Sequence, residues 1–371
     1  MTKQSTPMQV ALTLLPIVAS LVITSALIML VGRDPIAVYE RILEGAFRNT
    51  NALASVFNFW IPLTLASLGL VITFRAGLWN IGVEGQMMFG ALFASWAAQY
   101  VVLPAPVLVS FEIVLAMIGG ALWAALAGVL KTRLGVHEIF GGVALNSIAS
   151  VITIYLISGP WQPPEGGSAQ STAPFPADSL LPSISPEFPV SLLALIITVV
   201  AIAGVFFALR GTRWGLELKA TGRNPRSALL LGVPTESNVL SAMMACGALA
   251  GIAGAYRVLF TYASLRPLVS GNIGFLALLV VLLVSMRPLL APLVTFMVAA
   301  LFVGSTRLKV AMQLDQSLAG VLQGLIVLMV LLSNGLRERW RERRRFREPE
   351  AAAVSDYQPV TPVTTEATTY E

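Results

Sequence analysis

The sequence predicts an all-α, polytopic integral membrane protein, and three observations lead to this fold class. Only 12% of the 371 residues are charged and 56% are hydrophobic, whereas a soluble domain carries roughly 25% charged residues. Residues 12–31 contain no charged side chain, and about 20 apolar residues let a helix cross a hydrocarbon core of about 30 Å. Similar stretches recur along the chain, so we expect about eight to ten transmembrane helices.

The apolar stretches give the predicted helices in order. They cover residues 12–31, 53–73, 87–100, 107–130, 139–157, 190–209, 238–256, 273–286, 289–304 and 317–333. The first stretch is longer than the apolar part of a signal peptide, about 7–15 residues, and no clear cleavage site follows it, so we expect an uncleaved first helix. Residues 36–47 place apolar side chains on one helical face, which predicts a short interfacial helix on the outer surface. The residues of this face are Ile36, Tyr39, Leu43 and Phe47.

The distribution of charge predicts the orientation. Five basic residues lie between residues 210 and 226 and seven arginines between residues 337 and 347, whereas residues 158–189 contain eight prolines and no Lys or Arg. By the positive-inside rule the two basic segments are cytoplasmic and the proline-rich loop is extracytoplasmic. We expect the basic patches to face anionic lipid and the cytoplasm, and we expect no nucleic-acid partner. The predicted regions are a cytoplasmic N-terminus (1–10), a transmembrane domain (11–335) with an extracytoplasmic loop (158–189) and a cytoplasmic loop (210–235), and a basic, then disordered cytoplasmic tail (336–371).

The reactive side chains of this sequence form no pattern that predicts a catalytic, metal-binding or disulfide site. Cys246 and His137 are the single cysteine and the single histidine, so an intramolecular disulfide is impossible and no metal cluster is suggested. We find no converging nucleophile, base or set of metal ligands, and therefore expect no catalytic residue, no metal and no cofactor.

The stretch "GLWNIGVEGQMM", residues 77–88, interrupts the apolar pattern. A carboxylate at the centre of a bilayer costs about 2.5 kcal/mol or more, so Glu84 needs a partner, water or the interface. Arg75 is roughly 13 Å away along a continuous helix. The glycines at positions 77, 82 and 85 therefore suggest a broken helix near residues 77–86. A second interruption, "VSGNIGFLA" at residues 269–277, also contains Asn and Gly, and paired interruptions indicate a substrate pathway near the middle of the membrane.

Two interpretations of the first interruption stay open. In one, its glycines permit close helix packing and Glu84 bonds a neighbouring backbone. In the other, Asn80, Glu84 and Gln86 line or gate a polar path. Asn146, inside a later apolar stretch, must find a hydrogen-bond partner, and it either lines the path or holds two helices together.

The cytoplasmic loop contains a second candidate site. Asn224 followed by Pro225 is a favourable helix start and predicts a short helix over residues 225–231. A helix of this length is marginal alone in water. The loop is either solvated at the lipid headgroups or docked in another subunit. His137 and Glu138 precede a helix, where a carboxylate favours the helix dipole; a second contact with another subunit is the alternative.

The first interruption in its wider context, "FRAGLWNIGVEGQMMFGALFA", resembles the permease subunits of nucleoside-type ABC importers. These belong to the larger permease group that also serves ribose-like sugars and branched-chain amino acids. The resemblance extends to "DPIAVYERILEGAF", "LKTRLGVHEIFGGVALNSIASVITIYLISGPW", "LELKATGRNPRSALLLGV" and "LAGVLQGLIVLMVLLS". The chain departs from the family in "VSGNIGFLALLVVLLVSMRP", which lacks the acidic residue of the family's Gly-Tyr-Gly-Phe-Asp-like stretch.

This resemblance implies a permease that forms the translocation path for nucleosides or related simple sugars. The cargo would be delivered by an extracytoplasmic binding lipoprotein, a second permease subunit, related or identical, would complete the path, and the complex would lie in the bacterial plasma membrane. Since the chain lacks G-x-x-x-x-G-K-[ST], ATP would be hydrolysed by a partner subunit. The path candidates are Trp79, Asn80, Glu84, Gln86, Asn146 and Asn272. The coupling candidates are Glu217, Lys219, Gly222, Asn224, Pro225, His137 and Glu138.

An ion-gradient-driven secondary transporter of a small polar solute is the alternative. Such proteins keep several ionisable groups inside the membrane for coupling. Here the only candidates are Glu84, in the first interruption, and Glu112, close to one end of a predicted span.

Overall fold

The computed structural model describes residues 22–30, 32–163, 170–284, 286 and 288–312, together with residues 324 and 328, and the regular elements of these residues are helices. The α-helices are α1 (Val22–Leu30), α2 (Pro35–Phe47), α3 (Thr50–Arg75), α4 (Val83–Tyr100), α5 (Ala105–Leu134), α6 (Glu138–Ser158), α7 (Leu192–Gly211), α8 (Arg213–Arg223), α9 (Pro225–Leu230), α10 (Thr235–Tyr256), α11 (Ile273–Leu283) and α12 (Ala291–Met312). A π-helical turn, Arg257–Tyr262, continues α10.

The predicted fold class is confirmed. Among the described residues, five helices are long and apolar enough to cross a membrane, namely α3, α5, α6, α7 and α10 with its π-helical turn. They become six if the bent pair α1 and α2 forms one span, and α11 and α12 are shorter apolar helices. The predicted last span, most of the first span, and the basic tail lie outside the described residues. The count of eight to ten spans therefore stays a prediction.

The helix boundaries differ from the predicted stretches where a local signal competes with hydropathy. The stretch 107–130 becomes the longer helix α5, which ends at Gly135 in the left-handed conformation (φ +68°), a normal helix terminator. The stretch 273–286 ends early, at Leu283. The stretch 289–304 continues to Met312.

Residues 25–324 form one compact unit, and residues 1–24 with 325–371 form another, which is described only in small part. In the first unit α3 lies at the centre. Of its most apolar 18 residues 89% are buried, whereas the corresponding share is 22% in α6 and in α7. Around α3 the helices approach through glycines. A Cβ at Gly120 would lie 2.1 Å from the Gly247 carbonyl oxygen, and one at Gly90 would lie 2.2 Å from Gly251 Cα. The backbones of α4, α5 and α10 are therefore in direct contact, as is common between membrane helices.

The proline-rich loop packs over the end of α10. The Thr172, Phe175 and Leu181 amides donate to carbonyl oxygens of residues 265, 263 and 259, at 2.9–3.1 Å. Helix α2 forms as predicted and leaves Ile36, Leu43 and Phe47 exposed. Its interfacial position stays a prediction.

Candidate functional site

The predicted broken helix is present. Helix α3 ends with Gly77 in the left-handed conformation (φ +75°), the Leu78 amide donates to the Thr73 carbonyl at 2.9 Å, and the Gly77 amide donates to the Phe74 carbonyl at 3.0 Å. This pair of bonds is a Schellman motif. The break covers residues 76–82, and α4 begins at Val83. Glu84 and Gln86 therefore belong to the first turns of α4, which corrects the predicted C-terminal limit of the break.

Glu84 has its partner in the second interruption. Its side chain is buried, and Oε1 accepts hydrogen bonds from the amides of Gly274 at 2.9 Å and Phe275 at 3.2 Å. These amides lie in the first turn of α11, where backbone donors lack intrahelical partners and the helix dipole favours an anion. A Cβ at Gly274 would lie 2.8 Å from Val83 Cγ1. The two interruptions thus meet, and Glu84 bonds a neighbouring backbone.

Arg257 is a functional candidate that the sequence did not identify. Its guanidinium donates from Nε to the Val269 carbonyl at 3.1 Å, donates from Nη2 to the Tyr262 hydroxyl, and lies over the Tyr262 ring at 4.5 Å. It also interacts electrostatically with Glu84. The predicted span ended at Tyr256, so Arg257 lay just outside it. The sequence feature that could have identified it is a basic residue followed by further apolar residues.

Asn80 and Gln86 bind each other across the break. The Asn80 Nδ2 donates to Gln86 Oε1 at 3.1 Å, and the Gln86 Nε2 donates to Asn80 Oδ1 at 2.9 Å. Asn80 also donates to Cys246 Sγ in α10 at 3.1 Å. Both amides are 1% exposed, so the pair is buried between the break and the first turns of α4.

Asn146 ties α6 to the break. Its Oδ1 accepts from the Gly85 amide at 2.8 Å, and its Nδ2 donates to the Ile81 carbonyl at 2.9 Å. The Ile81 bond reaches from α6 to the break, and the Gly85 bond reaches from α6 to the first turn of α4. Of the two interpretations of Asn146, this geometry matches the one that holds two elements together.

Two of the path candidates are exposed. Trp79 is 45% exposed, and its ring packs edge-on against Phe74 at 5.0 Å. Asn272 is exposed and adopts the left-handed conformation (φ +61°) just before α11. The other four candidates are engaged in the bonds described above.

The predicted cap of the short cytoplasmic helix is confirmed. Asn224 Oδ1 accepts from the Ser227 amide at 3.1 Å, and Pro225 occupies the first position of α9. The helix ends at Leu230, one residue earlier than predicted. At this end Leu229, Leu230 and Leu231 are 61%, 88% and 83% exposed.

The remaining coupling candidates lie in different environments. On α8, Glu217 pairs with Arg213 at 2.7 Å, and Lys219 is exposed. Gly222 packs against the backbone of the break rather than facing solvent: an added Cβ would lie 2.4 Å from the Arg75 carbonyl oxygen.

His137 and Glu138 serve the start of α6. His137 Nδ1 accepts from the Ile139 amide at 3.3 Å and caps the helix. Glu138 Oε2 accepts from Lys131 Nζ at 2.5 Å, and its Oε1 accepts from the Trp79 amide at 3.5 Å. Glu138 therefore also links α6 to the break. In the part of the chain that the structure describes, no group of three or more metal-ligating side chains occurs.

Comparison with known proteins identifies relatives over most of the chain. The family model described as the permease component of branched-chain amino acid transport systems matches residues 52–331. The chain is 28% identical over 328 residues to the glucose ABC transporter permease protein TsgB13 of Haloferax volcanii, covering 86% of each chain. It is 29% identical over 335 residues to the guanosine ABC transporter permease protein NupP of Bacillus subtilis, covering 87% of this chain and 94% of that protein. No solved structure matches the chain.

Proposed function

Since the chain belongs to the family of permease components of branched-chain amino acid transport systems, we propose that it carries nucleosides or related simple sugars through the membrane in an ABC importer. The family is one of membrane permease components, and ATP hydrolysis lies in a separate subunit. Relatives named for guanosine and for glucose, matched over most of their length, support this class of cargo.

The proposed ATPase docks on α9, and the exposure of Leu229–Leu231 is the observation that carries this part of the proposal. Three consecutive exposed leucines on a capped helix form an apolar patch, and such patches mark interaction sites. The neighbouring basic side chains support a cytoplasmic location for this patch, by the positive-inside rule. We assign the N- and C-termini to the same side and the protein to the plasma membrane of a bacterium.

The proposed path passes the break between α3 and α4. Trp79 offers an exposed aromatic face, and stacking of a base on such a face contributes about 1–3 kcal/mol. Asn272 offers an exposed amide that can hydrogen-bond a base or a sugar hydroxyl. In this proposal the buried Asn80–Gln86 pair, held by two hydrogen bonds, opens when cargo passes. An extracytoplasmic binding lipoprotein and a second permease subunit, related or identical, complete the proposed assembly.

The ion-gradient alternative draws its support from Glu112 on α5. This carboxylate is 0% exposed, and neither of its oxygens is hydrogen-bonded to another described residue. A buried ionisable group inside a membrane is a candidate for ion coupling.

Uptake of a radiolabelled nucleoside and of labelled glucose by vesicles containing the complete assembly distinguishes the two functions. We expect uptake of the nucleoside or the sugar that stops on ATP depletion and persists in the presence of an ionophore. Uptake that survives ATP depletion and collapses with the ionophore would establish the secondary transporter instead. The matched control is the same assembly with a catalytically inactive ATPase subunit.

A further inference from the structure

Helix α8 and the break touch backbone to backbone. A Cβ at Gly222 would lie 2.4 Å from the Arg75 carbonyl oxygen and 2.8 Å from the Gly77 amide nitrogen, and a Cβ at Gly77 would lie 3.0 Å from Gly222 Cα. A side chain can rotate away from a moving neighbour, whereas two backbones in contact must move together or separate. Pushing one of these backbones toward the other therefore displaces both.

On one side, the contact is close to the exposed leucines of α9. Helix α8 ends at Arg223, and the single residue Asn224 connects it to α9 while capping that helix. Leu218 and Thr221 of α8 are 0% and 1% exposed, so α8 is packed into the protein, whereas α9 is largely exposed apart from the buried Ala228. A displacement of α9 consequently reaches Gly222 through one connecting residue.

On the other side, the contact leads into the hydrogen bonds of the break. Three residues beyond Gly77, Asn80 binds Gln86 and Cys246. The next residue, Ile81, is held by Asn146. Any shift of Gly77 therefore acts within a few residues on the buried Asn80–Gln86 pair.

We propose that the Gly77–Gly222 contact transmits displacement of α9 to the break and opens the Asn80–Gln86 pair. This inference rests on the proposed function, because it takes an ATPase docked on α9 as the source of the displacement. Gly77 and Gly222 are positioning residues, and the bulk of any larger side chain would hold the two backbones apart. The expected consequence is a transporter in which ATP hydrolysis continues but no longer drives uptake.

The first test compares Gly222→Ala with Gly211→Ala in the complete transporter. Gly211 lies in the same loop, at the end of α7, and an added Cβ there meets nothing within 4 Å. For the purified Gly222→Ala complex we expect ATP hydrolysis within about twofold of wild type and uptake lower by about tenfold or more, a loss within the usual range of coupling effects. Gly211→Ala should match wild type in both assays. Uptake within about twofold of wild type in an assembled Gly222→Ala complex would refute the proposal, as would a parallel loss of hydrolysis and uptake.

The second test uses Cys246 as a native reporter of the break, and its wild-type measurement does not depend on the Gly222→Ala complex assembling. The thiol is 0% exposed and accepts from Asn80 at 3.1 Å, so opening of the amide pair should change its alkylation by N-ethylmaleimide. With cysteine-free partner subunits, we expect vanadate-trapped nucleotide to change the alkylation rate in wild type and in Gly211→Ala but not in Gly222→Ala.

The two proposals fail in different ways. A wild-type transporter that imports its cargo with ATP, but whose Cys246 alkylation is unaffected by trapped nucleotide, would refute the transmission contact and leave the proposed function intact. A wild-type assembly without ATP-dependent uptake would refute the proposed function itself.

Discussion

Replacing Asn146 with alanine should loosen the break by a measurable amount. The change removes the bonds to the Gly85 amide and to the Ile81 carbonyl. A buried polar group left without a partner costs about 1–3 kcal/mol, whereas measured hydrogen bonds between membrane helices average about 0.6 kcal/mol. Two groups lose their partner, and Gly85 is buried whereas Ile81 is only partly buried; we therefore expect a total cost at the lower end for two such groups, about 2 kcal/mol. That corresponds to roughly a thirtyfold change in the unfolding equilibrium.

The single cysteine supplies the assay. Cys246 is buried and free, so a thiol-reactive fluorescent dye reports unfolding of the detergent-solubilised protein without an engineered residue. Ser147→Ala is the control, because Ser147 is exposed and bonds only within its own helix, to the Val143 carbonyl; it should change stability by less than about 0.5 kcal/mol. If Asn146→Ala were as stable as Ser147→Ala, these two bonds would not hold the break, and the reasoning would be wrong.

Three further changes test other parts of the structure. Glu84→Ala removes the acceptor for two amides of α11 and should destabilise the protein by about 3 kcal/mol or more, whereas Glu84→Gln keeps a neutral acceptor and should cost clearly less in the same dye assay. Leu230→Ser, at a position 88% exposed, should weaken co-purification of the ATPase subunit about tenfold, while Val102→Ser, at a position 97% exposed and remote from α9, should leave it unchanged. Gly120→Ala brings a Cβ to 2.1 Å from a backbone oxygen and should cost about 1–3 kcal/mol, but Gly204→Ala, with nothing within 4 Å, should be neutral or slightly stabilising.

The local features of this fold could be predicted because each has a local cause. Long apolar stretches predicted the helices, since backbone groups in a bilayer must be satisfied within the segment. The Asn224–Pro225 pair predicted the start of α9 through its own capping bond. A carboxylate among glycines predicted the break after α3, because a buried charge needs a partner that a straight helix does not supply.

The long-range contacts could not be predicted from these patterns. The amides that bind Glu84 lie 190 and 191 residues further along the chain, and hydropathy carries no information about that distance. The role of Gly222 depends on the backbone it faces, which its own sequence neighbours do not reveal. Whether Asn146 lines a path or ties two elements together likewise depends on what lies opposite α6.

The capped start of α11 bears on the electric charge of any passing solute. In many transporters the amino end of a half-helix is left vacant to attract an anionic solute. Here the Glu84 carboxyl group already accepts hydrogen bonds from the Gly274 and Phe275 amides. A phosphorylated or carboxylated solute would have to displace the Glu84 side chain from these amides, and that side chain cannot diffuse away. An uncharged solute would not compete for these amides. If the proposed path passes this end of α11, we therefore expect neutral solutes to be transported in preference to anionic ones.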